Sequence, residues 1–551
     1  MPAPKSLMAP AEKWWRHAVI YQIYPRSFAD GNGDGIGDIP GIIDRLPQIA
    51  GLGIDAIWIS PFYTSPQKDA GYDVADFCDI DPIFGTLADA EKLIDTAHEL
   101  GLRIIVDVVP NHSSSQHEWF QQALAAPPGS PERARYMFRE GRGENGELPP
   151  NNWESVFGGS AWTRVTEKDG SAGQWYLHLF DSSQPDFNWE NLEVWEFFRG
   201  VLRFWLDRGV DGFRVDVAHG LVKLEGLPAA VATDQPAAGN VGPQWNQPGV
   251  HEIYRDWRKV LDEYGDDRVM CAEAWVFPLS DMARYVRSDE MDQAFNFAYM
   301  ATKWDANALR KVIDESLEAF DAVGAPSTWV LSNHDVVRHA SRYGIDATTK
   351  AQPTGFGPTS AHKPDEVWGL AVARAATTVM LALPGSAYLY QGEELGLPEV
   401  IDIPDNKRQD PTFFRTSGER YGRDGCRVPI PWVKDATAFG FNDSGKTWLP
   451  QPPSFGALSR DQQEGTEGST LELYKKLLAL RSSLRLGTGA VEWLPGYGDS
   501  IVAFTNCGIA VIANAGDAEV ALPDGELLIS SAPLSGHSLP PDTTAWVKLA
   551  D

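Results

Sequence analysis

The chain is poor in cysteine, in basic charge and in long apolar runs. Its four cysteines are Cys78, Cys271, Cys426 and Cys507. None forms a C-x-x-C pair, and their spacing suits neither a zinc site nor a disulfide framework. Cys271 lies in the apolar run VMCAEAWV and reads as a small core residue. The histidines do not form a zinc set, so a catalytic metal is not expected. Lys and Arg number 47 against 76 Asp and Glu, for a formal charge of −29. This argues against nucleic acid and anionic membranes as partners, because both need a basic surface. A neutral or cationic ligand fits the deficit, and so does a merely solvated acidic surface. No stretch approaches the roughly 18 apolar residues of a membrane span. The N-terminal MPAPKSLMAPAEKWW has no apolar signal-peptide core, so a cytoplasmic location is expected.

The 551 residues, 43% of them hydrophobic, exceed one compact core. Short β-rich runs recur at 18–25, 56–61, 103–110, 212–218, 269–275, 293–297, 327–335 and 385–394. Amphipathic stretches such as DAEKLIDTAHELG (89–101) and VWEFFRGVLRFWLDRG (194–209) lie between them. Near-continuous apolar strands alternating with helices predict a parallel sheet covered on both faces, and eight such units predict a (β/α)8 TIM barrel. Residues 111–211 are too long for a βα connection, so part of this stretch is expected to be an inserted domain. After the helix predicted at 470–483, alternating apolar residues and turns predict a small antiparallel β domain. The expected division is barrel over 1–110 and 186–483, insertion over 111–185 and β domain over 484–551. The loop at 349–366 reads as mobile. Twenty tryptophans fit either a site built of flat rings or ordinary core packing.

Polar residues gather where the proposed strands end. The third supplies Asp107, Asn111 and His112, the fourth Arg214, Asp216 and His219, the fifth Glu273, and the seventh Asn333, His334, Asp335 and Arg338. That rim is where barrel enzymes build active sites. Cleaving a glycosidic bond takes one ionised carboxylate and one protonated carboxyl group. In GFRVDVAHG (212–220), strand alternation sets Arg214 beside Asp216, where the guanidinium favours the charged carboxylate. Glu273 lies among Ala272, Ala274 and Trp275, an apolar setting expected to raise its pKa and suit a general acid.

DVVPNH (107–112), QPDFNWEN (184–191), GFRVDVAHG, AEAW (272–275), SNHD (332–335) and YQGEELGLPE (390–399) occur in this order. Together they resemble the α-amylase family of glycoside hydrolases, family 13. AVIYQIYPRSFAD, GYDVADF and GRDGCRVPIPW resemble its exo-acting α-glucosidase and oligo-1,6-glucosidase branch. The resemblance implies that Asp216 is the nucleophile, Glu273 the acid/base and Asp335 the transition-state stabiliser. The reaction would retain the α configuration through a covalent glucosyl-enzyme. His112, Arg214 and His334 would hold the sugar. Tyr72 would stack on the glucose ring, or simply pack on the sheet. Asp73 would bind the far end of the sugar with Arg423, and Phe157 and Phe180 would wall the pocket. Short α-glucosides would be the substrates and the protein a monomer or homodimer. Linkage stays open: Val217 is common among relatives that accept α-1,6 bonds, but Ala218-His219-Gly220 departs from their usual pattern. The loop 221–250 is expected to shape the aglycone side. A glucosyltransferase or sugar isomerase would share the covalent intermediate. A non-catalytic binding protein of the same fold, such as a transporter-subunit ectodomain, would usually have lost these carboxylates.

DGNGDGIGD (30–38) opens like a calcium loop. Asp30, Asn32, Asp34, the Ile36 carbonyl and Asp38 are its candidate ligands. Related α-glucosidases carry a structural divalent ion in a similar loop, so Ca2+ or Mg2+ is expected, with an Asx-rich turn as the alternative.

Overall fold

The structure is a computed structural model that describes residues 13–231, 241–345 and 355–550. Residues 349–354 of the loop expected to be mobile, 232–240 of the aglycone loop and 1–12 of the N-terminal stretch lie outside the described residues.

Eight parallel strands form the centre: β1 (Val19–Ile23), β2 (Ala56–Ile59), β3 (Arg103–Val108), β4 (Gly212–Val215), β5 (Val269–Ala272), β6 (Gln293–Ala294), β7 (Thr328–Val330) and β8 (Ser386–Tyr390). Their order is β6-β5-β4-β3-β2-β1-β8-β7. A parallel bridge from Phe295 to Thr328 closes the ring. The strands are wholly buried apart from Arg103 at the start of β3, as expected when helices cover the outside and side chains fill the inside.

The connecting helices include α1 (Ile39–Ala50), α2 (Leu87–Glu99), α3 (Leu192–Leu206), α4 (Val250–Asp262), α5 (Ala306–Asp321), α6 (Glu366–Met380) and α7 (Thr470–Ser483). Local chemistry sets their starts. Thr86 and Asp89 form a reciprocal capping box on α2, and Asp305 and Asp365 cap α5 and α6.

Between β3 and α3 lies a three-stranded antiparallel sheet of Phe138–Arg139, Trp162–Thr166 and Ala172–Leu177. Beyond α7, a five-stranded antiparallel sheet carries the segments Ile501–Asn506, Ile509–Asn514 and Thr543–Leu549. It docks on α6 through Trp546, whose indole donates to the Thr378 carbonyl at 3.0 Å. Many tryptophans serve packing: Trp58, Trp153, Trp205, Trp257, Trp329 and Trp546 are fully buried. Among the described residues, no helix is long and apolar enough to cross a membrane.

One expected strand is shorter than its alternation implied. β4 ends at Val215, and Val217 takes a φ of 45°, a region that β-branched residues rarely occupy. The backbone therefore turns just after Asp216 instead of continuing as strand to 218.

Candidate active site

Strand register assembles the charges. Asp107 on β3 pairs directly with Arg214 on β4. Arg214 pairs with Cys271 on β5, so Asp216 and Glu273 lie just past the paired segment. Arg214, about 1% exposed, then grips three carboxylates: Asp216 at 2.6 Å, Asp107 at 2.9 Å and Glu273 at 3.0 Å. Its guanidinium also faces the rings of Trp58 and Tyr72, at 5.0 and 5.7 Å.

Arg214 does favour a charged Asp216, but it is outweighed. Burial first, and then the charges of Glu273 and Asp107, push the Asp216 carboxyl well above its ordinary value against the pull of Arg214. Burial likewise pushes Asp107 up to about 7, even with Arg214 beside it. One guanidinium faces three carboxyl groups, which favours retention of a proton within the cluster. The surroundings of Glu273 are more polar than its apolar sequence neighbours implied. Its Oε2 accepts the Val217 backbone N–H at 2.9 Å and faces Arg214.

Asp335 sits in the opposite electrostatic setting. Burial opposes its charge, but the guanidinium groups of Arg423 and Arg427 hold its carboxyl well below the ordinary range, with His334 Nε2 at 3.2 Å on its other side. Arg427 donates to it at 2.8 Å and Arg423 at 2.9 Å. Burial keeps the His334 imidazole neutral. Its ring stacks flat against Tyr72, with centroids 5.1 Å apart and planes at 8°. The Tyr72 hydroxyl donates to Asp107 at 3.1 Å. Tyr72 therefore belongs to the site as well as to the core. Burial pushes His112 down to about 4, so it too is neutral near pH 7, and it packs against Phe180 at 5.1 Å. The three carboxylates are largely withdrawn from solvent: Asp216, Glu273 and Asp335 expose 7%, 12% and 27% of their side chains.

The expected partnership of Asp73 with Arg423 is not observed. Arg423 bonds instead to Asp410 at 2.5 Å, Asp69 at 2.7 Å and Asp335 at 2.9 Å. Asp73 is fully buried beneath this group. It accepts the backbone N–H groups of Lys68 and Asp69 and the Ser65 hydroxyl, and so shapes the turn that presents Asp69. In KDAGYD two aspartates flank one tyrosine, and only the folded turn decides which faces the recess. Asp410, Arg427 and Asp69 had not been singled out. For Arg427 the available signal was a second arginine four positions after Arg423. Phe157 lies under the Arg423 guanidinium at 5.1 Å and meets Phe180 edge-on at 5.7 Å. The two rings therefore line the same side of the recess.

The Asp30–Asp38 loop lies apart from this cluster. Asp30 accepts the N–H groups of Asn32, Gly33 and Gly35, while Asp38 caps α1 and accepts those of Gly31, Asn32 and Gly41. Asn32 and Asp34 accept from residues two further along. These are Asx turns. Among the described residues, no three His, Cys, Asp or Glu side chains converge to hold a metal.

A guanidinium-gripped pair of carboxyl groups, faced by a third carboxylate across a nearly closed recess, supplies the parts for breaking a glycosidic bond on a barrel. The catalytic-domain model of the alpha-amylase family matches residues 22–487, and the chain belongs to that family. It is 38% identical over 524 residues to a probable alpha-glucosidase of Rhizobium meliloti (strain 1021), covering 91% of this chain and 88% of that protein. It is 35% identical to the oligo-1,6-glucosidase of Parageobacillus thermoglucosidasius, over 85% of this chain and 83% of the other. The solved structure of an alpha-glucosyl transfer enzyme superposes with a TM-score of 0.83 at 35% identity, covering 97% of this chain and all of the other.

Proposed function

We propose that the protein is a retaining, exo-acting α-glucosidase that releases α-glucose from the non-reducing end of short α-glucosides, with α-1,4 bonds of the maltose type as first choice. Asp216, as carboxylate, attacks the anomeric carbon while Glu273 protonates the departing oxygen. A β-glucosyl ester forms on Asp216. Glu273, now ionised, takes a proton from water, which opens the ester from the opposite face and returns the α configuration. Asp335 stays charged, as its arginines favour, and stabilises the oxocarbenium-like transition state. For retention, the carboxyl groups of Asp216 and Glu273 need to lie about 5 to 5.5 Å apart. The observation that carries the exo-acting reading is Arg423, which ties Asp69, Asp410 and Asp335 together; such a charged clamp would close one end of the recess behind the terminal sugar.

Transfer to a sugar hydroxyl is the second reading. It is favoured by the low exposure of the carboxylates and by the likeness to a glucosyl-transfer enzyme. A cytoplasmic location, a monomeric or homodimeric state and a structural Ca2+ or Mg2+ on the Asp30–Asp38 loop belong to the same proposal. For the ion, Asp30, Asn32, Asp34, Asp38 and the Ile36 carbonyl are the donors. It is supported by two buried acids on one loop, with burial first and Asp30 as a lesser cause raising the Asp38 carboxyl.

Proton NMR of purified protein on maltose tests the main reading. α-Glucose as the first anomeric signal supports it, and β-glucose first refutes it. New glucosyl linkages favour transfer. Inert maltose with active isomaltose moves the assignment to the oligo-1,6 alternative.

A further inference from the structure

We propose that Arg415 is a specificity-determining strap that closes the recess outside the Arg423 cluster. It holds the two aromatic walls against the loop after β8. The inference rests on the exo-acting reading above.

Arg415 ends the short helix Pro411–Arg415. Asp410 caps this helix, accepting the Thr412 N–H at 2.7 Å, and its other oxygen takes the backbone and side-chain N–H groups of Arg423. One carboxylate thus fixes the inner arginine and the base of the outer one together. From there Arg415 reaches the inserted domain. Its Nε and Nη2 donate to the Gly158 carbonyl at 3.0 and 2.6 Å, and Nη1 donates to Asp181 at 3.2 Å. Gly158 follows Phe157, and Asp181 follows Phe180. A single guanidinium therefore anchors both loops that carry the walls, outside the ring on which Arg423 rests. Arg415 and Asp181 are only 21% and 19% exposed, so solvent screens the pair weakly. Asp181 is braced in turn by the Ser183 N–H and hydroxyl. With the strap intact, no second sugar passes beyond the terminal glucose. With it cut, the Phe157 and Phe180 loops separate from the 411–415 segment and a chain can extend through.

The probe is p-nitrophenyl maltoheptaoside with its terminal O4 and O6 tied as an ethylidene acetal, compared with maltose. The wild type is expected to cut the blocked chain at no more than a slow background rate. Arg415→Ala and Asp181→Asn are each expected to cut it at least about tenfold faster than the wild type, the ratio that follows from losing one charge-assisted bond. KM for maltose should rise more than kcat falls. Arg415→Lys, which reaches only one of the two partners at a time, should fall between. Cutting by Arg415→Ala alone also supports the strap, with the Gly158 carbonyl as its main anchor. If Arg415→Ala does not fold, Arg415→Gln, which keeps much of the bulk but loses the charge and the forked donors to Gly158 and Asp181, decides in its place. Folded variants that leave the blocked chain as intact as the wild type does would overturn the proposal. A wild type that releases no glucose from any α-glucoside would instead refute the functional reading.

Discussion

Replacing Asp107 by Asn should move the acid limb of activity downward. Asp107 and Asp216 both accept from the same Nη1 of Arg214, at 2.9 and 2.6 Å. Their oxygens can lie no further apart than these two bonds laid end to end. Two charges about 5 Å apart repel by about 3 kcal/mol at an effective dielectric of about 20, and by about 0.8 kcal/mol in bulk water. At about 1.36 kcal/mol per unit, these bounds correspond to about 2 and about 0.6 pH units. Where Asp107 is ionised, at and above its own value of about 7, removing its charge eases ionisation of Asp216, so the pKa of Asp216 falls. Its reactive carboxylate then persists to lower pH. The assay is kcat/KM for p-nitrophenyl α-glucoside across pH, which reports ionisations of the free enzyme. The expected shift is about 1 to 2 units downward. The absolute rate is the poorer readout, because the Trp58 indole and the Tyr72 hydroxyl also donate to Asp107. A limb that stays in place or moves upward would refute the claim that repulsion among carboxylates sharing one guanidinium tunes the nucleophile.

Other outcomes follow from the same contacts. Arg423→Ala removes the partner of three carboxylates, of which Asp69 and Asp410 are buried, and should lower kcat/KM at least about a hundredfold, since breaking a buried ion pair costs about 3–5 kcal/mol; a change under tenfold would count against its role. Asp69→Asn should raise KM for maltose far more than Asp73→Asn, which should act chiefly on thermal stability; equal effects on KM would undo the separation drawn between them. Burial lifts Asp73 to about 6, Asp107 and Glu399 to about 7 and Glu393 to about 8. Ionisation of such groups disfavours the folded state, so their contribution to stability declines as pH rises from about 4 through about 8. Asp410, held down to about 2 with Arg423 opposing its burial, acts the other way and loses its contribution as pH falls below about 4. Scanning calorimetry should therefore find a higher Tm near pH 5.5 than near pH 8.5, within the roughly pH 4–8 window set by these groups. Chelation should lower Tm and added Ca2+ restore it if the Asp30–Asp38 loop holds an ion; an unchanged Tm in both conditions would leave the Asx turns alone holding that loop.

The sequence was most informative where chemistry coincides with strand ends. Apolar runs separated by amphipathic helices made all eight barrel strands readable, because strands buried on both faces carry few polar residues. Arg214, Asp216, Glu273 and Asp335 were conspicuous because charge at such a position is costly and needs a reason. What stayed hidden depends on tertiary convergence. Nothing local distinguishes Asp69 from Asp73 in KDAGYD. The choice comes from a turn that buries one side chain on its own backbone amides and aims the other at an arginine more than three hundred residues away. The surroundings of Glu273 were misread for the same reason: its sequence neighbours are apolar, but its spatial neighbour is Arg214, brought there by the β4–β5 register. The sign of the effect on Asp216 was also beyond local reading. Arg214 pulls its pKa down as the sequence implied, but the register also delivers Asp107 and Glu273 to the same guanidinium. A motif names the groups that can react, and the fold sets how many of them compete for one counter-charge. In this site that competition governs the proton inventory on which both chemical steps depend.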